Sequence, residues 1–185
     1  IKQFQEQGFD CLFTLGGDGT QKSARDFAVK GLNVIGIPKT IDNDVALTDK
    51  TFGYDTAVSV ATDALERLHS TAESHKRIMV LEVMGRHAGW IALASGIAGG
   101  ADAILIPEIP FDIDRVAQKV LDRKAAGKDY TIICVAEGAH PIDGEQVTVG
   151  KTEGKGLDDK RLGGIGEYLA KELEARTGSV SRNTV

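Results

Sequence analysis

CLFTLGGDGT, residues 11–20, joins an apolar, β-rich run to a glycine-rich turn, and a helical pattern follows from near Gln21. Strand, tight turn and helix in succession are the building unit of α/β folds. Working outward, the same alternation recurs. Further β-rich runs lie at Asn33–Ile37, Arg77–Glu82, Ala103–Ile106 and Tyr130–Ala136. Helical periodicity fills the intervals. Between Asp55 and His69, the residues Ala57, Val60, Ala61, Ala64, Leu65 and Leu68 repeat at the spacing of one helix face. Ala88–Ile97, Ile113–Lys124 and Ile165–Arg176 read as further helices. Strands that are apolar throughout, rather than at alternate positions, are buried on both sides. The expectation is an α/β fold, a largely parallel sheet with helices on both faces.

The 185 residues suffice for one sizeable domain with its own core, and 42% apolar with 26% charged residues is ordinary for a globular protein. A net charge of −5 argues against nucleic acid or an anionic membrane as partner. No apolar run approaches the ~20 residues of a membrane-spanning helix, and no signal-peptide pattern is present. Cys11 and Cys134 both lie in apolar runs and read as reduced core residues of a cytoplasmic protein. The polar, Gly-rich stretch from Gly138 to Gly164 is long for a connection; it is a surface excursion or holds a small hairpin around EQVTV. Ile1 stands where an initiator Met would, inside a helical pattern, and SVSRNTV alternates like an opening strand. Residues 1–185 are therefore expected to be the central part of a longer protein.

In a parallel sheet, ligands bind beyond the carboxyl ends of the strands. The segments GGDGT (16–20), PKTIDND (38–44), VMGRHAG (83–89) and EGAH (137–140) fall there. In GGDGT the missing Cβ atoms let backbone N–H groups approach an anion, and the helix that follows adds its positive end. Asp18 could hold Mg²⁺ between phosphates. The plainer reading is a strand-to-helix turn in which Asp18 or Thr20 caps the helix. PKTIDND could be an Asx-type turn. Its chemical reading makes Asp42 the acceptor of a hydroxyl proton, with Asp44 serving a metal, Thr40 donating to a phosphate and Lys39 offsetting phosphate charge. Arg86 could clasp a phosphate, with Met84 and Gly85 shaping a sugar pocket, or be a surface arginine beside a helix cap. Glu137 could bind sugar hydroxyls or be a solvated strand end. Arg77, alone, reads as a surface residue at a strand start.

Taken jointly, GGDGT, PKTIDND, TFGYDTA (51–57), VMGRHAGWIAL (83–93), GGADAILIPE (99–108) and VAEGA (135–139) resemble the phosphofructokinase family, along nearly the whole chain. GGDGT alone is also similar to the phosphate loop of NAD kinases and diacylglycerol kinases, but those families lack PKTIDND and MGR. The resemblance implies phosphoryl transfer from MgATP to the 1-hydroxyl of fructose 6-phosphate. It makes Asp42 the catalytic base, with Thr40 and Lys39 beside the transferring group. Gly17, Asp18, Gly19 and Thr20 would bind the donor phosphates, and Asp18 and Asp44 would serve Mg²⁺. Arg77, Met84, Gly85, Arg86 and Glu137, with Thr40 and Asp42, would bind substrate. Arg77 would reach the substrate of a neighbouring subunit, so a homo-oligomer, dimer or tetramer, is expected. The family's upstream nucleotide loop and downstream basic residues lie outside residues 1–185, which leaves the site incomplete.

Within the family, Gly19 goes with ATP, because an Asp there would intrude on and repel the α-phosphate. Lys39 is shared with pyrophosphate users. Steric exclusion at residue 19 outweighs charge at residue 39, so ATP is the expected donor and pyrophosphate the alternative. A non-catalytic sugar-phosphate-binding regulatory subunit is the other class of function, and the presence of Asp42 and Asp18 argues against it.

Overall fold

The computed structural model describes residues 1–151 and 160–185. The chain divides into two compact units, Ile1–Asp55 and Thr56–Val185. The first contains α1 (Lys2–Glu6), β1 (Leu12–Gly16), α2 (Asp18–Val29), β2 (Val34–Thr40) and β3 (Phe52–Gly53). Its strands form a parallel sheet in the order β1-β2-β3, with Leu12 opposite Val34 and Gly16 opposite Pro38. Helix α2 covers the face that carries Thr14 and Gly36. A Cβ at Gly36 would collide with the Gln21 side chain, so glycine is what lets the helix approach. Alternation turns Phe13, Leu15 and Ile35 to the opposite face, where they are exposed.

The second unit contains most of α3 (Tyr54–His75), then β4 (Ile78–Val83), α4 (Trp90–Ala98), β5 (Ala103–Leu105), α5 (Ile113–Ala125) and β6 (Thr131–Ala136). It continues with β7 (Thr148–Lys151), β8 (Lys160–Leu162), α6 (Ile165–Thr177) and β9 (Ser181–Thr184). The sheet runs β5-β6-β4-β9, all parallel, and β7 pairs β8 as a short antiparallel ribbon. Every residue of β4 and of β6 is buried, as their largely apolar runs predict, and the burial takes in Glu82 and Thr131. Ile78, Val80, Leu105, Ile133 and Val135 pack with Val116, Ala117 and Val120 of α5 and Ile165, Leu169 and Leu173 of α6. The intervening residues face the other way. A Cβ on Gly96 of α4 would lie 2.7 Å from Ile104 and 3.4 Å from Cys134, so α4 covers that second face. Each such buried aliphatic side chain contributes about 1.5–3 kcal/mol.

The α/β class, the parallel pairing and the helices on both faces of the larger sheet agree with the sequence. The described strands form two separate parallel sheets and a ribbon, because which strands pair is a long-range choice that local periodicity does not carry. The expected hairpin is present from Thr148, and residues 152–159 of the Gly138–Gly164 stretch lie outside the described residues. Val60, placed on the buried face of α3 by its spacing, is 66% exposed. Cys134 is fully buried, whereas Cys11 lies just before β1 and is only partly buried; neither forms a disulfide. Among the described residues no helix is long and apolar enough to cross a membrane.

Candidate active site

In the first unit, Gly16 ends β1 and Gly17 is the N-cap of α2, so Asp18, Gly19 and Thr20 form the helix's first turn. The helix thus starts three residues before the expected Gln21. An acid in the first turn faces the positive end of the helix, which favours the early start. Thr20 folds back over Gly16, where a Cβ would collide with its hydroxyl. Gln21 Nε2 donates to Gly16 O and to Ile37 O, each at 2.9 Å, and so ties the ends of β1 and β2 together. A Cβ at Gly17 would stand 3.3 Å from Thr40 Cβ. GGDGT and PKTIDND therefore meet at the carboxyl edge of this sheet. At Gly19 a Cβ would meet nothing within 4 Å among the described residues.

Strand β2 continues through Pro38, Lys39 and Thr40, past the expected end at Ile37, because β3 pairs with Lys39 and Thr40. Alternation separates their side chains: Thr40 shares the α2 face with Gly17, and Lys39 projects to the other face, beside Phe52 in register. Thr40 Oγ1 accepts from Asp42 N at 3.2 Å. Asn43 takes a left-handed conformation (φ 55°), and its Oδ1 accepts from Thr51 N at 2.9 Å. That clasp, with Thr51 buried, holds the turn shut and leaves Asp42 partly buried and Asp44 exposed. PKTIDND is therefore both a turn and a set of presented acids.

Asp18 pairs with Lys22 at 2.6 Å, one helical turn on, with both side chains about half exposed. Among the described residues no three His, Cys, Asp or Glu side chains are grouped to hold a metal by themselves. Asp18 and Asp44 are accessible carboxylates, the donor type Mg²⁺ takes one or two of while completing its shell with phosphate oxygens and water.

In the second unit, Met84, Gly85 and Arg86 follow β4, and Glu137 follows β6. Glu137 N donates to Val83 O at 2.8 Å, joining the two strand ends. Glu137 Oε1 accepts from Arg86 N at 2.9 Å and Gly85 N at 3.3 Å. Arg86 is left-handed (φ 49°), as is Gly85 (φ 144°). A Cβ at Gly85 would strike Ala88 O, and one at Gly138 would strike Arg86 O. Both glycines are thus required for the two loops to interlock. Glu108 Oε1 accepts from Gly89 N at 2.8 Å and fixes the start of α4. Met84 and Arg86 stand exposed on this frame. Arg77 sits elsewhere. It precedes β4 at the amino end of the sheet, with its carbonyl accepting from Thr131 N at 3.2 Å. The strand puts about 20 Å between it and the Met84–Arg86 loop.

Gln21, Asn43 and Glu108 organise these loops yet were not singled out from sequence. Their roles depend on partners 16, 8 and 19 residues away. Asn43 and Glu108 carried a signal, the one as the amide of a stretch readable as an Asx-type turn and the other as the acid ending GGADAILIPE; Gln21 carried none.

Comparison with known proteins accords with this geometry. The sequence model of the family described as Phosphofructokinase matches residues 1–185. The chain is 61% identical over 174 residues to an ATP-dependent 6-phosphofructokinase 2 of Clostridium perfringens, covering 94% of this chain and 47% of that protein. It is 56% identical over 185 residues to an ATP-dependent 6-phosphofructokinase of Chloroflexus aggregans, covering 100% of this chain and 50% of that one. The chain spans about half the length of these curated relatives. Among solved structures it resembles a Pichia pastoris phosphofructokinase in the T-state (TM-score 0.80, 32% identity, 99% of this chain and 21% of that one). It also resembles a pyrophosphate-dependent phosphofructokinase from Marinobacter aquaeolei (TM-score 0.78, 27% identity, 100% of this chain and 46% of that one).

Proposed function

The chain belongs to the phosphofructokinase family, and from that premise we propose that the whole protein transfers the γ-phosphoryl group of MgATP to the 1-hydroxyl of fructose 6-phosphate, as a cytoplasmic enzyme of glycolysis. The observation that carries the reading is the meeting of GGDGT and PKTIDND, where Gly17 abuts Thr40 and Gln21 ties the two strand ends. It sets an anion-binding helix start beside a turn that presents acids.

In this mechanism, the first turn of α2, with Gly17, Gly19 and Thr20, receives the donor phosphates. Asp42 takes the proton of the 1-hydroxyl as that oxygen attacks the γ-phosphorus; the bond from the γ-phosphorus to its bridging oxygen breaks, and ADP leaves. Thr40, on the face of β2 that meets Gly17, donates a hydrogen bond to the transferring phosphoryl group; Lys39, whose side chain leaves on the other face, contributes only its positive charge to the field around the departing phosphates. Mg²⁺, held through Asp18 and Asp44, would supply further charge neutralisation on the phosphates. Met84, Gly85, Arg86 and Glu137 bind the sugar phosphate, and Arg77 serves the substrate of a neighbouring subunit in a homo-oligomer. Catalysis of this kind is positioning and electrostatics more than covalent chemistry.

Pyrophosphate is the rival donor, favoured by Lys39 and by the likeness to a pyrophosphate-dependent enzyme. Identities of 61% and 56% to enzymes named ATP-dependent support ATP over it. Parallel assays of the full-length protein with MgATP and with pyrophosphate test the reading. Turnover of fructose 6-phosphate with ATP is expected; turnover with pyrophosphate alone, or with neither, overturns it.

A further inference from the structure

Glu82 is a carboxylate in the middle of the core, 3% exposed, and no step of the mechanism above uses it. It lies on β4, two residues before Met84, and alternation turns it to the face covered by α6. Its Oε1 accepts from Gly164 N at 2.9 Å and its Oε2 from Gly166 N at 2.8 Å. These are the N-cap and an early N–H group of α6, which no side chain of the helix itself caps. Glu82 supplies that cap from 82 residues away. The approach is tight, for a Cβ at Gly166 would collide with Asn183 Oδ1 and come within 3.0 Å of Glu82 Oε2.

Beyond Glu82 the same strand continues directly into the loop. Val83 O holds Glu137 N at 2.8 Å, and Glu137 Oε1 holds the Gly85 and Arg86 N–H groups. A series of hydrogen bonds thus runs from the buried start of α6 through the end of β4 to the backbone of Gly85 and Arg86, the last of them exposed. A carboxylate accepts on both oxygens, whereas a glutamine offers one acceptor and turns N–H groups toward the other donor. Burying an unpaired donor there is costly. We infer that Glu82 is a positioning residue that holds the carboxyl end of β4 in place against α6, and so sets the position of Gly85 and Arg86. The inference rests on the reading of that loop as the sugar-phosphate contact.

The test uses the full-length protein with Glu82→Gln and, as a gentler variant that keeps the charge, Glu82→Asp. Amide hydrogen exchange at Gly85 and Arg86 is the readout that needs no activity. Exchange there should rise about tenfold or more while the amides of β6 keep their protection. In the same variants the KM for fructose 6-phosphate should rise about tenfold, with kcat and the KM for ATP changing less than threefold, as displaced binding groups produce. Wild-type protection at Gly85 and Arg86 with only a lowered Tm overturns the inference, leaving Glu82 a helix cap. If Glu82→Gln does not fold, the Glu82→Asp result decides. A wild-type protein that fails to phosphorylate fructose 6-phosphate refutes the proposed function, and the exchange data still judge Glu82.

Discussion

At Asp42 the backbone N–H is tied to Thr40 Oγ1, and the next residue is clasped by Thr51. The carboxylate is thus presented by a closed turn rather than by a loose loop. Asp42→Asn keeps both ties, since neither uses the carboxylate, and should lower kcat roughly 10²–10⁴-fold with the fold intact. Near-normal turnover would remove Asp42 from the base role. At Gly19 a Cβ meets nothing within 4 Å among the described residues, and an acid in the first turn of a helix is favourable. Gly19→Asp should therefore leave Tm unchanged or slightly raised while ATP turnover falls far more than pyrophosphate turnover. Equal losses with both donors would show that residue 19 does not select between them. Cys134 is the third case. Burial pushes its thiol from 9.0 up to about 11, against a smaller opposing effect of the Ser95 hydroxyl. The folded protein then binds the proton more tightly than the unfolded chain, so stability is full below about pH 9 and falls as pH rises toward 11. A Cys134→Ala variant should show a shallower loss of Tm across that window, and in the native wild type a thiol reagent at pH 8 should label Cys11 before Cys134.

Helix and strand ends, more than their middles, separate the elements read from sequence from those observed. Helix α2 begins at Asp18 because a glycine N-cap and a first-turn acid suit a helix start, and β2 runs on to Thr40 because β3 supplies partners. Helix α5 begins where periodicity places it, at Ile113, since its cap is local: Asp112 Oδ1 accepts from Asp114 N at 2.9 Å and Arg115 N at 3.4 Å. Asp112→Ala should cost about 1 kcal/mol and lower Tm by a few degrees, without changing KM for either substrate. An unchanged Tm would mean that water replaces the cap. Helix α6 shows the contrary arrangement, capped from β4, and no inspection of residues 160–170 would reveal it.

On the scale of the whole protein, the separation of the two arginines along β4 bears on assembly. Arg77 and Arg86 lie at opposite ends of a six-residue strand, about 20 Å apart, too far to hold one substrate phosphate in the same subunit. The proposed sharing between subunits would resolve this. Arg77→Ala in the full-length protein should raise the KM for fructose 6-phosphate more than tenfold and leave that for ATP within about twofold. Mixed oligomers with Asp42→Asn should regain part of the activity, because some sites would combine an intact Arg77 from one subunit with an intact Asp42 from the other. Absence of any recovery in verified mixed oligomers, or a fully active monomer, would exclude a shared site.

From its sequence alone, this protein's class was determined by local pattern: the apolar runs of β4 and β6 require a sheet covered on both faces, and helical spacing supplies the cover. The residues of GGDGT, PKTIDND and MGR were legible as well, because their chemistry lies in residue type and order. What only the tertiary structure decided was how those residues are held. That the strands divide between two sheets, that Lys39 and Thr40 face opposite ways, that Glu137 grips the Arg86 loop and that Glu82 caps α6 all depend on pairings between distant segments. Such contacts form because buried donors must find acceptors wherever the packed chain brings them, and neither spacing nor propensity records where that will be.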